Sequence, residues 1–404
     1  MKANSFWKTG HTPTLFASFL YFDLSFMVWV LLGPLAVQIA RDLGLSPAQK
    51  GLMVATPLLT GALLRIVMGI LVDHLKPKRA GAIGQVIVLA ALAWAWLGQL
   101  QNYASILTLG MLLGVAGASF AVALPLASRW YPPQHQGTAL GIAGAGNSGT
   151  AFAALFAPSL ALAFGWQNVF GLCIIPLGIV FVVYMMLAKD APSSPAPKAL
   201  IEYLHVLKDK DAWWFMFFYS VTFGGFSGLA SSLTIYFNTQ YGLSPVTAGY
   251  FTAACVFAGS MVRPMGGIIA DRIGGIRTLS LMYVIAALFL FIASQGLRSH
   301  VLALIVFVVA MLALGTGNGA VFQLVPQRFR KEIGVMTGLV GMAGGIGGFY
   351  LASSLGYSKQ ITGSYQFGLT IFATLAVAAL VGLSAVKERW RTTWGSAAMT
   401  TAKI

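Results

Sequence analysis

Twelve times between residues 15 and 386 the chain passes through about twenty apolar residues with almost no charge, the length an α-helix needs to cross a hydrocarbon core. The runs are read at 15–38, 51–72, 81–99, 104–128, 138–163 and 167–188, then at 212–237, 247–270, 278–296, 300–325, 334–357 and 364–386. A membrane barrel would show short strands alternating apolar and polar residues, and these runs are continuous. Only 9% of residues are charged, against about 25% in soluble domains, so little is left from which to build a soluble domain. The expectation is an all-α integral membrane protein with twelve transmembrane helices. The cationic start MKANSFWKTGHTPT leads into the first run with no small-residue cleavage site, so that run is expected to remain as a helix.

Between the sixth and seventh runs lies KDAPSSPAPKALIEYLHVLKDKDA, whose Pro, Ser and charges read as a linker. It divides the chain into an N-terminal six-helix bundle (1–188), a linker (189–211) and a C-terminal six-helix bundle with a short tail (212–404). All but six of the 25 Lys and Arg lie near the termini, in the linker or in loops after even-numbered runs. The exceptions are Arg41, Lys50, Arg65, Arg263, Arg298 and Lys359. The excess of positive charge on the cytoplasmic side then puts both termini in the cytoplasm. The formal charge of +15 is mostly this topology signal, with attraction to anionic lipid as its consequence. It argues poorly for nucleic acid, since no basic soluble domain carries it.

A repeat underlies the count. GILVDHLKPKR (69–79) after the second run is echoed by GIIADRIGGIR (267–277) after the eighth. Asp73 and Asp271 are 198 residues apart, and so are Arg65 and Arg263. A duplicated six-helix half explains both spacings. The pattern resembles the loop signature of the major facilitator superfamily, which implies that Asp73, Asp271 and Arg272 belong to conformational gating loops. The first copy departs from it, with His74 where a basic residue is usual and Lys76 where glycine is usual.

Asp23, Arg65 and Arg263 are the formally charged residues well inside the runs. Each costs about 2.5–3.5 kcal/mol on insertion scales, so each asks for a function. Arg65 lies eight residues before Asp73, roughly 12 Å along the helix, too deep for easy snorkelling to the headgroups. Two cations at equivalent positions of two related halves are expected to face one central cavity. Guanidinium groups present paired donors suited to a small oxyanion.

The fifth and eleventh runs are dense in glycine: GTALGIAGAGNSGTAFAA (137–154) and GVMTGLVGMAGGIGGFYLA (334–352). They align through Gly137/Gly334, Gly141/Gly338 and Gly144/Gly341. Small-residue spacing alone means close helix packing, but each glycine costs about 1 kcal/mol of helix propensity, and this density exceeds packing need. The two segments resemble the paired nitrate signatures of the nitrate/nitrite porter family. LYFDLSFMVWVLLGPLAVQI (20–39), FYSVTFGGFSG (218–228) and GTGNGAVFQLVPQRF (315–329) are similar to that family's first, seventh and tenth helices. The resemblance covers the whole chain. It implies that Arg65 and Arg263 bind the anion, that Asn147 donates an amide hydrogen bond, and that Tyr219, Phe223 and Phe120 supply a hydroxyl and aromatic walls. The glycine density by itself, at Gly144, Gly146, Gly149, Gly341, Gly344 and Gly345, reads as helices that slide or bend against their neighbours. Tyr219 and Phe223, four residues apart, share a helix face.

Asp23 is the one carboxylate at mid-membrane, and its first-helix context FDLSFMVW resembles the proton-symport branch. An anion entering a negative-inside cell climbs about 2.3 kcal/mol per 100 mV, which two co-transported protons would reverse. The expected function is therefore secondary transport of nitrate, with nitrite a second substrate, coupled to protons at the inner membrane. A nitrate/nitrite antiporter without proton coupling and an organic-anion antiporter on the same scaffold are the alternatives. The chain carries no metal-ligand cluster, P-loop or paired histidines, and Cys173 and Cys255 read as buried packing residues. A non-enzymatic carrier with no cofactor and no metal, working as a monomer in the bilayer, is the expectation.

Overall fold

The computed structural model describes residues 6–98, 100–192, 201, 205–329 and 332–394, and these form helices joined by short loops, with no strand among them. Much of the 189–211 linker and the tail after Trp394 lie outside the described residues. Among the described residues, eleven helical segments are long and apolar enough to cross a membrane. The twelfth expected span, the seventh along the chain, is a 32-residue helix, Lys210–Tyr241, that falls short in apolarity rather than in length. Its residues from Val221 to Phe237 are all buried, including Thr222, Ser227, Ser231, Ser232 and Thr234. Packed among the second, eighth, tenth, eleventh and twelfth spans, it has little lipid to face and can carry hydroxyls.

Spans one to six pack among themselves, and so do spans seven to twelve. The halves meet where the second span lies against the eleventh, the fifth against the eighth, and the second part of the first, Leu32–Leu43, against the seventh. Four spans are interrupted near mid-membrane. The first breaks between Trp29 and Leu32, the fourth between Gly117 and Phe120, the fifth at a 3-10 turn, Ala145–Ser148, and the eighth between Met261 and Arg263. At the eighth the cause is local: Pro264 has no N–H to donate back along the helix. Broken helices expose backbone polar groups inside the bundle, a placement tolerated only where protein or a ligand satisfies them.

Contact between the halves is tightest at the end away from the linker. A β-carbon built on Gly51 would stand 2.7 Å from the Cα of Gly356, and one on Gly249 would stand 2.7 Å from the Pro158 ring. Toward the linker end, buried Gly144 has no atom of the described residues within 4 Å of its would-be β-carbon, and neither do Gly141 and Gly334. The glycines thus close one end of the bundle and leave room at the other.

The two repeat loops explain the departure at Lys76. Its counterpart Gly274 adopts φ 101°, ψ 138°, and Lys76 is held at φ 68°, ψ 153°. That region is strained for any residue with a β-carbon, at a cost of about 1–3 kcal/mol. Lys76→Gly is therefore expected to raise stability by about 1 kcal/mol, read as a higher unfolding midpoint in detergent. An unchanged or lower midpoint would show that the lysine makes contacts worth more than the strain.

Candidate functional site

Arg65 and Arg263 meet at the centre of the bundle around shared aromatic rings. Arg65 is fully buried, and its Nε donates to the Gly117 carbonyl of the fourth span at 3.2 Å. Its Nη1 donates across the interface to the Gly341 carbonyl of the eleventh span, which fixes the side chain to both halves. Its other terminal nitrogen, Nη2, is buried with no hydrogen-bond partner among the described residues. Arg263, 8% exposed, donates from Nη2 to the Tyr219 hydroxyl at 3.1 Å, while its Nη1 is buried and unpartnered.

The rings form a box around these charges. The Arg65 guanidinium lies 5.1 Å from the centroid of Phe120 and 5.2 Å from that of Phe223. Arg263 lies 5.8 and 6.0 Å from the same two rings. Tyr219 and Phe223 stack at 5.2 Å with planes 4° apart, as their spacing on one helix predicts. That stack lies against the eleventh helix because Gly344 is bare: a β-carbon there would come within 2.7 Å of the Tyr219 ring. Gly344 is the counterpart of Asn147 in the fifth span, so the site is asymmetric in its side chains.

No carboxylate pairs with either arginine among the described residues. The four ion pairs found join Asp73 to Arg129, Asp209 to Arg328, and Asp211 to both Arg328 and Arg389. Since both guanidiniums sit over one ring, they are under about 11 Å apart, a repulsion of at least about 1.5 kcal/mol at an effective dielectric near 20. Cation–π attraction offsets part of that cost, about 0.5–2 kcal/mol per contact. Two unused guanidinium nitrogens in an aromatic box have the geometry and charge to hold a small anion with polar edges and apolar faces.

Asn147 is buried in the 3-10 turn of the fifth span, its side-chain oxygen without a protein partner. Asp23 does not reach the arginines; it accepts a 2.6 Å hydrogen bond from Ser148. Its burial, 3% exposed, answers the cost of the charge with a hydroxyl rather than a cation. Two further site residues went unnoticed in the sequence. Phe322 packs edge-on against Tyr219 at 5.0 Å and lies under Arg263 at 5.7 Å. Asn318, one turn earlier on the same face, is buried with an unpartnered side-chain oxygen. Asn318 is the 198-residue counterpart of Phe120, and that shared register was the available signal.

The glycines of the fifth and eleventh spans divide by position. Gly341 lies 3.3 Å from Arg65 Nη1, Gly345 faces Ala62 at 2.6 Å, and Gly146 and Gly149 abut the backbone of Asp23, while Gly144 faces open space, all measured from a would-be β-carbon. At the linker end, Asp73 pairs with Arg129 at 2.9 Å. In the second copy Asp271 accepts instead from Gln323 at 3.1 Å, and Arg272 is exposed. Arg328, beside the position equivalent to Arg129, is held by Asp209 and Asp211, so the two loops are not interchangeable.

The profile of the Major Facilitator Superfamily matches residues 15–352. The chain is 34% identical to "Probable nitrate/nitrite transporter NarK2" of Mycobacterium tuberculosis, over 88% of this chain and 91% of that one. The chain belongs to the nitrate/nitrite porter family of the major facilitator superfamily. Within that family it is also 34% identical to "Probable nitrate transporter NarT" of Staphylococcus carnosus, over 88% of this chain and 91% of that one. It is 31% identical to "Nitrite extrusion protein" of Bacillus subtilis, over 88% and 89%. The fold matches a bacterial homologue of the human lysosomal transporter Spinster, solved inward-facing and occupied, with a TM-score of 0.69, 18% identity and coverage of 92% and 94%. The porter family's members are named as transporters, and this chain is a multi-pass membrane transporter of nitrate or nitrite rather than an enzyme.

Proposed function

We propose that the protein imports nitrate, and nitrite as a second substrate, across the inner membrane by alternating access, driven by protons bound at Asp23. The observation that carries the substrate is the pair of uncompensated guanidiniums sharing the Phe120 and Phe223 rings. Arg65 and Arg263 would grip the anion's oxygens, with Asn147 and Tyr219 as neutral donors and the rings against its faces. Arg65 and Arg263 are the only buried basic side chains among the described residues, which favours a small anion over a bulky organophosphate. Both termini would lie in the cytoplasm, as the distribution of Lys and Arg argues. The glycine seal at the opposite end and the space beside Gly144 then correspond to a carrier closed to the outside. The halves 1–188 and 212–404 would rock about the arginines, acting as one monomeric carrier.

Proton coupling rests on Asp23, a buried carboxylate at the level of the site with no cation bonded to it. Nitrate entry with two protons carries net positive charge inward, so a negative-inside potential of 100 mV assists by about 2.3 kcal/mol where it would oppose bare nitrate by the same amount. Exchange without proton coupling is the competing reading, favoured by the relative named "Probable nitrate/nitrite antiporter NarK1" in Thermus thermophilus, 28% identical over 91% of this chain. Asp23→Asn in proteoliposomes separates them. The expected outcome is loss of uptake driven by an inward proton gradient, with nitrate/nitrite exchange retained. Uptake that still follows the imposed gradient would sink the symport reading.

A further inference from the structure

The fifth span is interrupted by one 3-10 turn, Ala145–Ser148, between the helices Pro133–Gly144 and Gly149–Phe164. A short 3-10 stretch inside a helix often marks a hinge. At this one, the Ser148 Oγ lies 2.6 Å from Asp23 Oδ1 and 2.9 Å from the Ala145 carbonyl. A hydroxyl has a single hydrogen, so it serves one of those acceptors at a time. The neighbouring Asn147 carbonyl accepts from Thr150 Oγ1 at 2.7 Å and from Ser260 Oγ at 3.3 Å. Ser260 belongs to the eighth span, in the other half, and stands three residues before Arg263. The turn is also in backbone contact with the first span: a β-carbon on Gly146 would lie 2.9 Å from the Asp23 amide nitrogen.

We propose that Ser148 is a positioning residue that transmits the protonation of Asp23 to the anion site. With Asp23 ionised, the Ser148 hydrogen goes to Oδ1, a charge-assisted bond that ties the turn to the first span. When Asp23 takes a proton, its own O–H becomes a donor and Ser148 Oγ its acceptor. The Ser148 hydrogen then swings to the Ala145 carbonyl, so one proton is gained and no other bond needs a new hydrogen. The turn gains its internal bond and exchanges a charge-assisted tie to the first span for a neutral one. Asn147 rides on that turn, and its carbonyl is bonded to the eighth span just above Arg263. Protonation would thus be felt by both Asn147 and the inter-half contact, without Asp23 touching the anion.

Few other groups could take over this role. The elements packed against Thr12–Trp29, the part of the first span that holds Asp23, bring Arg65 from the second, Tyr103 from the fourth, His135 from the start of the fifth, and Cys173 and Tyr184 from the sixth. The first span itself adds Tyr21, with His11 at its cap. None of these is hydrogen-bonded or ion-paired to Asp23, whose side chain is held by the Ser148 hydroxyl and the Gly149 amide.

The inference rests on the symport reading, and the experiment keeps the two apart. Full-length protein in liposomes is assayed for nitrate uptake under an inward proton gradient and, separately, for nitrate/nitrite counterflow at equal pH. Ser148→Ala is expected to lower the ratio of gradient-driven uptake to counterflow about tenfold, the size of one charge-assisted hydrogen bond. Ser148→Thr, which keeps the hydroxyl, should restore most of it. A wild-type ratio in Ser148→Ala beside an uncoupled Asp23→Asn would overturn the relay and leave symport standing. An Asp23→Asn variant that stays coupled would remove the symport reading and the relay with it. If Ser148→Ala abolishes counterflow as well, Ser260→Ala decides: a lowered ratio supports the relay, and an unchanged one refutes it.

Discussion

Replacing Arg65 or Arg263 with lysine is expected to cut nitrate uptake by about 100-fold, although the charge is conserved. An ammonium is a point charge that cannot present two in-plane donors, and its shorter, strongly hydrated head leaves the face of Phe120 and Phe223. The two variants should differ in stability. Arg65 spends two donors on the Gly117 and Gly341 carbonyls, so its loss removes bonds in both halves, at roughly 1 kcal/mol each. Arg263 is bonded to the Tyr219 hydroxyl alone among the described residues. Arg65→Lys should therefore lower the unfolding midpoint in detergent more than Arg263→Lys does. Nitrate should raise the midpoint of the wild type and of neither variant. Uptake within a few-fold of wild type in both would mean that charge alone suffices and that the fork geometry is irrelevant.

The largest effect on stability is expected at the linker end. Asp211, 6% exposed, accepts from Arg328 Nε at 2.9 Å, from Trp390 Nε1 at 2.8 Å and from Arg389. One carboxylate thus joins the start of the seventh span to the ends of the tenth and twelfth, with Trp390 stacked on Phe215 at 4.6 Å. Asp211→Ala leaves a buried indole N–H and the Arg389 guanidinium without that acceptor, and leaves Arg328 with Asp209 alone. Breaking a buried pair costs about 3–5 kcal/mol, and because Arg328 and Arg389 are 29% and 46% exposed, about 2–3 kcal/mol is expected here. The measurement is the unfolding midpoint in detergent, with Asp209→Ala as comparison. Asp209 accepts from Arg328 alone among the ion pairs, and its loss should cost less. Equal costs would mean that the carboxylates act as diffuse charge rather than as a specific joint.

Most of the architecture was legible from length, periodicity and repetition. Apolar runs of helix-spanning length are required by the bilayer whatever the tertiary context, so the spans could be counted without the fold. The duplicated spacing of Arg65/Arg263 and Asp73/Asp271 carried the two halves and pointed to the arginines. The seventh span shows where composition misleads: its hydroxyls lower its apolarity because protein, not lipid, surrounds it. The lysine-for-glycine departure at position 76 was visible as a letter, but its meaning, a positive φ, needed the backbone.

The amino-acid sequence by itself determined that the chain spans a membrane, that it is built from two related halves, and that two permanent cations lie inside them. Those properties follow from local chemistry: hydrophobic length, side-chain charge and internal register. Only the tertiary structure decided that both cations stand over Phe120 and Phe223, that Phe322 joins them, and that Asp23 is held by Ser148 and not by an arginine. A hydrogen bond between the first and fifth spans depends on how far a 3-10 turn displaces one residue, and no pattern of residue types records that distance.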